Sequence, residues 1–172
     1  IEMALWDIKG KALGVPVYEL FGGKVRDSIP CYANAWFANA RTPDDFATAA
    51  AQAIQLGYQA LKWDPFGSSF RSLSSAELQQ ALSVIEAVKA SVGNKAELLI
   101  EGHGRFELPT ARRIARALED YDVLWFEEPL IPGNLYHQIG SPRWPVCFSQ
   151  EHKHTKPAEA TGAGVIANPK RI

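Results

Sequence analysis

Three glutamates in this chain each follow a short apolar run. Leu98-Leu99-Ile100 leads into Glu101, Val123-Leu124-Trp125-Phe126 into Glu127, and Val146-Cys147-Phe148 through Ser149 and Gln150 to Glu151. They stand 26 and then 24 residues apart, close to one strand-plus-helix unit of a parallel sheet. A short apolar run between turn residues reads as a strand buried on both faces. In a parallel β/α barrel all strand C-termini emerge on one face. Glu101, Glu127 and Glu151 would therefore meet in space. Carboxylates that close repel one another unless a cation sits among them. Hard oxygen donors with room for water and substrate suit Mg²⁺.

Other residues of the right type lie near these ends. His103 follows Glu101 by two residues, between Gly102 and Gly104. Taken alone, that is the position of a solvated loop histidine. Lys62 lies in the run Ala60-Leu61-Lys62-Trp63-Asp64 and would be costly to bury without a partner. Asp64 shares its side of the strand. A structural Lys62–Asp64 contact and a contact from Lys62 to substrate stand as equal alternatives. Arg105 meets either a substrate hydroxyl or carboxylate, or Glu107. Glu128 points away from Glu127 and reads as the structural partner of a cation. His152 and His154 flank Glu151, but ligands so close on one short segment need a turn that the sequence does not show. No separate transition-metal site is assigned.

The elements that must position these residues follow from pattern and punctuation. Met3, Leu5, Trp6, Ile8 and Leu13 fit a helix over 1–13, capped by Gly14 and stopped by Pro16, with a short turn at Val17 to Phe21. Ile29 to Phe37 is the first strand expected. Thr42-Pro43-Asp44 opens a helix with a capping hydroxyl, proline at the first position and acid in the first turn. Residues 60–64 form the second strand, and Ser74 with Glu77 makes a capping box for the next helix, which runs up to Gly93. The strand of Glu101, a helix over about 109–120 and the strand of Glu127 follow. A fifth strand at 145–148 and a sixth at 164–168 complete an alternation that defines an α/β chain.

Composition narrows the function classes. The 172 residues are enough for one ordinary domain, and the net charge of −1 favours neither a nucleic-acid nor a membrane surface. Cys31 and Cys147 have no metal-ligand spacing and read as two buried, reduced thiols of a cytoplasmic protein. A closed eight-stranded barrel needs about 250 residues. Five or six strands fall short of that, and the sequence opens at Ile1 in the middle of a helical pattern. The expectation is a piece of something longer.

Several stretches carry a family resemblance. Ala4-Leu5-Trp6-Asp7-Ile8-Lys9-Gly10-Lys11, with Gly14-Val15-Pro16-Val17-Tyr18 and Leu20-Phe21-Gly22-Gly23, form the first. Glu101-Gly102-His103-Gly104-Arg105 and Phe126-Glu127-Glu128-Pro129 are the next two, and Glu151-His152-Lys153-His154-Thr155-Lys156 is a looser fourth. They resemble motifs of the mandelate racemase and muconate lactonizing enzyme family of the enolase superfamily, most of all its acid-sugar dehydratases. The resemblance implies a partial (β/α) TIM-type barrel preceded by the last helix of an enolase-type capping domain. Residues 1–27 would be the tail of that capping domain, and 28–172 the first five to six βα units.

The same resemblance implies the chemistry. Mg²⁺ held by Glu101, Glu127 and Glu151 would stabilise the enediolate formed when the proton α to a carboxylate is removed, as in enolase-superfamily sites generally. His103 would be the acid that protonates the departing β-hydroxyl. Lys62 would be catalytic or bind the substrate carboxylate, with Asp64, Arg105 and His154 as further substrate contacts. Three departures stand out. Gln150 replaces the usual glycine before Glu151, Asp64 replaces the second lysine of a Lys-x-Lys triplet, and Pro169-Lys170 replaces a Pro-Asp pair. The histidine base of the family's seventh strand is not within the sequence. A catalytically incompetent relative or fragment, acting as a metal-binding or interaction module, is the competing expectation. Expected partners are a small-molecule sugar acid and, in the full-length form, further copies of the chain. Nucleic acid and membrane are not expected.

Overall fold

A computed structural model gives the structure of the protein, in which residues 1–131, 146–147 and 165–167 are described. The chain divides into two compact units, Ile1–Pro30 and Cys31–Ile172.

The first unit is helix α1 (Glu2–Leu13) followed by a 3-10 turn at Val17–Phe21. Gly14 ends α1 in the left-handed conformation at φ 68°, which a residue with a Cβ adopts only with strain. The Val15 amide then bonds back to the Gly10 carbonyl at 3.0 Å. Trp6 lies against Phe21 with ring centroids 4.6 Å apart, joining the helix to the turn.

The second unit alternates helix and strand. Helix α2 (Pro43–Gln55) precedes β1 (Ala60–Trp63), α3 (Ser75–Val92) precedes β2 (Glu97–Glu101), and α4 (Leu108–Leu118) precedes β3 (Trp125–Glu127). Both expected capping boxes are present. Thr42 and Asp45 close the start of α2, and Ser74 and Glu77 that of α3, each pair satisfying amide groups that the helix leaves open. In α4 the buried residues Ala111, Ile114, Ala115 and Leu118 follow the helical period, and a 3-10 turn at Glu119–Tyr121 takes over where 109–120 was expected to stay helical.

β1, β2 and β3 are parallel, with Lys62 opposite Leu99 and Glu101 opposite Glu127. Two further strands, β4 (Val146–Cys147) and β5 (Val165–Ala167), extend the sheet in the order β1-β2-β3-β5-β4. β5 runs antiparallel to β3 and β4 antiparallel to β5, where successive βα units would have made them parallel.

The alternation of side chains along the strands separates two tasks. Leu61, Trp63, Leu98, Ile100 and Phe126 join Ala53, Ile85, Val88, Ile114 and Leu118 of the helices in one buried core. Lys62, Glu101 and Glu127 occupy the alternate positions, on the other face.

The first expected strand is the main local correction. Of Ile29 to Phe37 only Ala33 pairs, as a parallel bridge to Leu61, with Ala33 N donating to Ala60 O and Lys62 N to Ala33 O. Pro30 has no amide to give a ladder, and by Trp36 the backbone has already turned. Trp36 and Phe37 instead form an aromatic cluster with Phe46, and Trp36 also meets Trp63 at 5.4 Å. Cys31, expected to be buried, is exposed.

Candidate functional site

Glu101 and Glu127 end neighbouring strands in register, so the sheet itself brings their carboxylates to one place. Glu101 is the one buried charged residue among the described residues, 6% exposed. The cation between the two is Lys62. Its Nζ lies 2.6 Å from Glu101 Oε2 and 3.0 Å from Glu127 Oε2. Burial alone would lower the Lys62 pKa, but hydrogen bonds and charge from Glu101 and Glu127 outweigh it and hold the group above the ordinary lysine value. Lys62 therefore stands in this site as a fixed positive charge. Its ion pairs are thus with Glu101 and Glu127 rather than with the expected Asp64.

The loop after β2 is pinned to the loop after β3. Gly102 N donates to Glu127 O at 2.8 Å and Gly104 N to Glu128 O at 2.7 Å. A Cβ on Gly102 would come within 2.8 Å of Glu128 O, so only glycine allows this approach. His103 sits between them at φ 52°, its amide donating to Glu101 Oε1 at 2.9 Å. The two oxygens of Glu101 are thus split between Lys62 and the His103 amide.

Asp64 closes the other side. His103 Nδ1 lies 2.7 Å from Asp64 Oδ2, and an Arg105 NH2 donates to that same oxygen at 2.5 Å. Asp64 Oδ1 accepts from the Phe66 amide at 2.9 Å. Arg105 also donates to Gly102 O and Gly67 O. Its expected alternative partner, Glu107, pairs with Arg71 instead at 3.0 Å. The reason is backbone pairing: the bridge between Arg71 and Phe106 brings the segment after β1 alongside that after β2.

Three aromatic residues around Lys62 escaped the sequence reading. The Tyr32 ring lies 5.7 Å from Lys62 Nζ and meets Trp125 edge-on at 6.1 Å. Trp125 Nε1 donates to Glu127 Oε2 at 3.2 Å, and Trp36 Nε1 to Lys62 O at 3.1 Å. Strand alternation held the signal for Trp125, which precedes Glu127 by two and so shares its face. Glu151 and His154 lie outside the described residues. Among the described residues no group of three or more His, Cys, Asp and Glu side chains is placed to hold a metal ion, and no helix is long and apolar enough to cross a membrane.

Comparison with known proteins agrees with this geometry. The family described as enolase C-terminal domain-like matches residues 45–153, and the N-terminal domain of mandelate racemase / muconate lactonizing enzyme matches residues 1–22. The chain is 48% identical over 130 residues to the D-gluconate dehydratase of Thermoproteus tenax, covering 76% of this chain and 26% of that protein. It is 39% identical over 131 residues to the D-gluconate/D-galactonate dehydratase of Picrophilus torridus, covering 76% of this chain and 34% of that protein. The chain thus spans about a quarter to a third of these curated relatives. Among solved structures, the mandelate racemase/muconate lactonizing enzyme from Jannaschia sp. CCS1 matches with TM-score 0.67 and 35% identity, over 76% of this chain and 36% of that one. A member of the enolase superfamily from Salmonella Typhimurium matches with TM-score 0.69 and 31% identity, over 77% and 38%. With both domain signatures matched, the chain belongs to the mandelate racemase/muconate lactonizing enzyme family of the enolase superfamily.

Proposed function

We propose that the protein to which this chain belongs is a Mg²⁺-dependent acid-sugar dehydratase, which removes the proton α to a carboxylate and expels the β-hydroxyl as water. The observation that carries this reading is the convergence of Glu101 and Glu127 on one cation, with His103 two residues from the first. The names of the relatives, dehydratases of D-gluconate and D-galactonate, supply the substrate class.

The residues present fit a hard divalent cation. Two carboxylates are drawn to one point by strand register, and the single ammonium there balances only one of them. Carboxylate oxygens are the donors Mg²⁺ prefers. Glu101 and Glu127 would hold it, with Glu151 as the third ligand. When bound, Mg²⁺ would supply the positive charge that makes loss of a very weakly acidic α-proton feasible.

The α-proton would pass to the histidine base expected on the family's seventh strand, and the residues of this chain serve the other steps. Lys62, relieved of the two glutamates, offers its ammonium to the substrate carboxylate. Tyr32 and Trp125 form an aromatic wall beside that group. His103 gives a proton to the β-hydroxyl as its carbon–oxygen bond breaks, so that the oxygen leaves with the bonding electrons as water. The enol left behind becomes a 2-keto-3-deoxy acid.

A metal titration tests the reading. Mg²⁺ should raise the melting temperature of the intact protein, and Glu127→Gln should remove that rise. A screen of sugar acids should yield 2-keto-3-deoxy product from at least one. An unchanged melting temperature with Mg²⁺, together with no product from any sugar acid, would overturn it.

A further inference from the structure

We infer that Asp64 is a positioning residue for His103, fixing which ring nitrogen faces the substrate; the inference deepens the proposed function and rests on it for the role of His103. Asp64 was expected to contact substrate. Its carboxylate is instead engaged by the protein: Oδ2 takes His103 Nδ1 at 2.7 Å and Arg105 at 2.5 Å, and Oδ1 takes the Phe66 amide at 2.9 Å. The Asp64 side chain is 16% exposed while that of His103 is 59% exposed. The aspartate is therefore set into the protein, and the imidazole stands out from it towards solvent.

A carboxylate is an acceptor only, so the nitrogen facing it must carry the hydrogen. Nδ1–H is then fixed and Nε2 is left as the outward atom. Orientation is fixed together with the tautomer. The His103 amide is held by Glu101 Oε1, the flanking glycine amides by the loop after β3, and the ring by Asp64. Arg105 donates to the same aspartate oxygen, its other hydrogen bonds going to the carbonyls of Gly102 and Gly67. Asp64 thus acts through His103 and touches no reacting atom.

The test combines a spectroscopic readout with a split of two activities, both on the intact protein. Nitrogen-15 spectra of the histidine rings at alkaline pH, with His103 assigned by loss of its signals in His103→Asn, report the tautomer without substrate or metal. The wild type should show the hydrogen on Nδ1. Asp64→Ala should lose that preference, because no acceptor then faces Nδ1. With Mg²⁺ and a sugar acid, Asp64→Ala should slow dehydration about 10–100-fold, the scale on which the outer partner of a metal-ligating histidine matters. Exchange of the α-proton with solvent should stay within about twofold, since that step does not use the acid. Asp64→Glu should regain the Nδ1–H signature and part of the dehydration rate. An unchanged tautomer in Asp64→Ala would overturn the inference whatever the activities do. Equal loss of exchange and dehydration would likewise show that Asp64 serves the whole site. Absence of both reactions in the wild type would overturn the proposed function instead, leaving the tautomer result to decide the role of Asp64.

Discussion

The Lys62 ammonium and the Glu101 carboxylate meet at 2.6 Å with side chains 11% and 8% exposed, so Glu101 depends on Lys62 for its counter-charge. Removing one member of a buried ion pair leaves an uncompensated charge and costs about 3–5 kcal/mol. Lys62→Met should destabilise the metal-free protein by about that amount. Mg²⁺ should return most of it, because the two glutamates then regain a cation. Thermal melts of both proteins with and without Mg²⁺ measure this, and equal stability of the two metal-free proteins would count against the pairing.

His103→Asn should separate the two half-reactions. Dehydration should be lost while exchange of the substrate α-proton with deuterated solvent continues, since loss of hydroxide needs the acid and exchange needs only the base. Mass spectrometry of recovered substrate reads the exchange directly. Loss of both together would make His103 the base or a structural residue.

Gly102→Ala should act through the backbone rather than by removing a ligand. Its Cβ would meet Glu128 O at 2.8 Å, Pro129 Cα at 3.0 Å and Glu127 O at 3.1 Å, all of them backbone. Overpacking of this kind costs about 1–3 kcal/mol. The variant should melt lower and lose dehydration more than Mg²⁺ binding, because the His103 loop moves while Glu127 stays on its strand. Calorimetric Mg²⁺ titration beside the rate decides it.

Acid should loosen the starts of α2 and α3 first. Hydrogen bonds from the Thr42 and Arg41 amides and the Thr42 hydroxyl hold the Asp45 carboxyl below its ordinary value of 3.8. The Ser74 hydroxyl and amide, then Ser69, hold Glu77 below 4.5. A lowered folded pKa gives stability that is complete above the ordinary value and is lost as pH falls through the lowered one. Amide protection at residues 42–46 and 74–78, relative to the intrinsic exchange rate at each pH, should therefore fall as pH drops below about 4. Thr42→Ala should show the lowered protection in α2 already at neutral pH.

Much of this was legible in the sequence wherever one local rule decided the outcome. Thr42, Ser74 and Gly14 announce helix ends through groups that satisfy their own neighbours, and all three do so here. Glu101 and Glu127 were placed together by the repeat of strand and helix alone. What stayed hidden depended on contacts distant in sequence. Whether Lys62 meets Asp64 or the glutamates is set by register between three strands, and Arg105 chooses Asp64 over Glu107 because backbone bridges bring Arg71 to the latter. The failed first strand has a similar cause, since the pull of Trp36 and Phe37 into an aromatic cluster outweighs their β-propensity.

The two-faced use of β1, β2 and β3 has a consequence for how such a protein changes over generations. Phe126→Ala, on the face turned to the helices, should cost about 3–5 kcal/mol, a large part of the roughly 5–15 kcal/mol that holds a domain together. Inheritance must keep that set of positions nearly still. The neighbours one step along the same strands answer to a different selection, because they seldom touch the core. Changes among them, Lys62, Glu101 and Glu127 included, alter the chemistry of the site while the scaffold is handed on intact, and a single peptide link is all that separates the two histories.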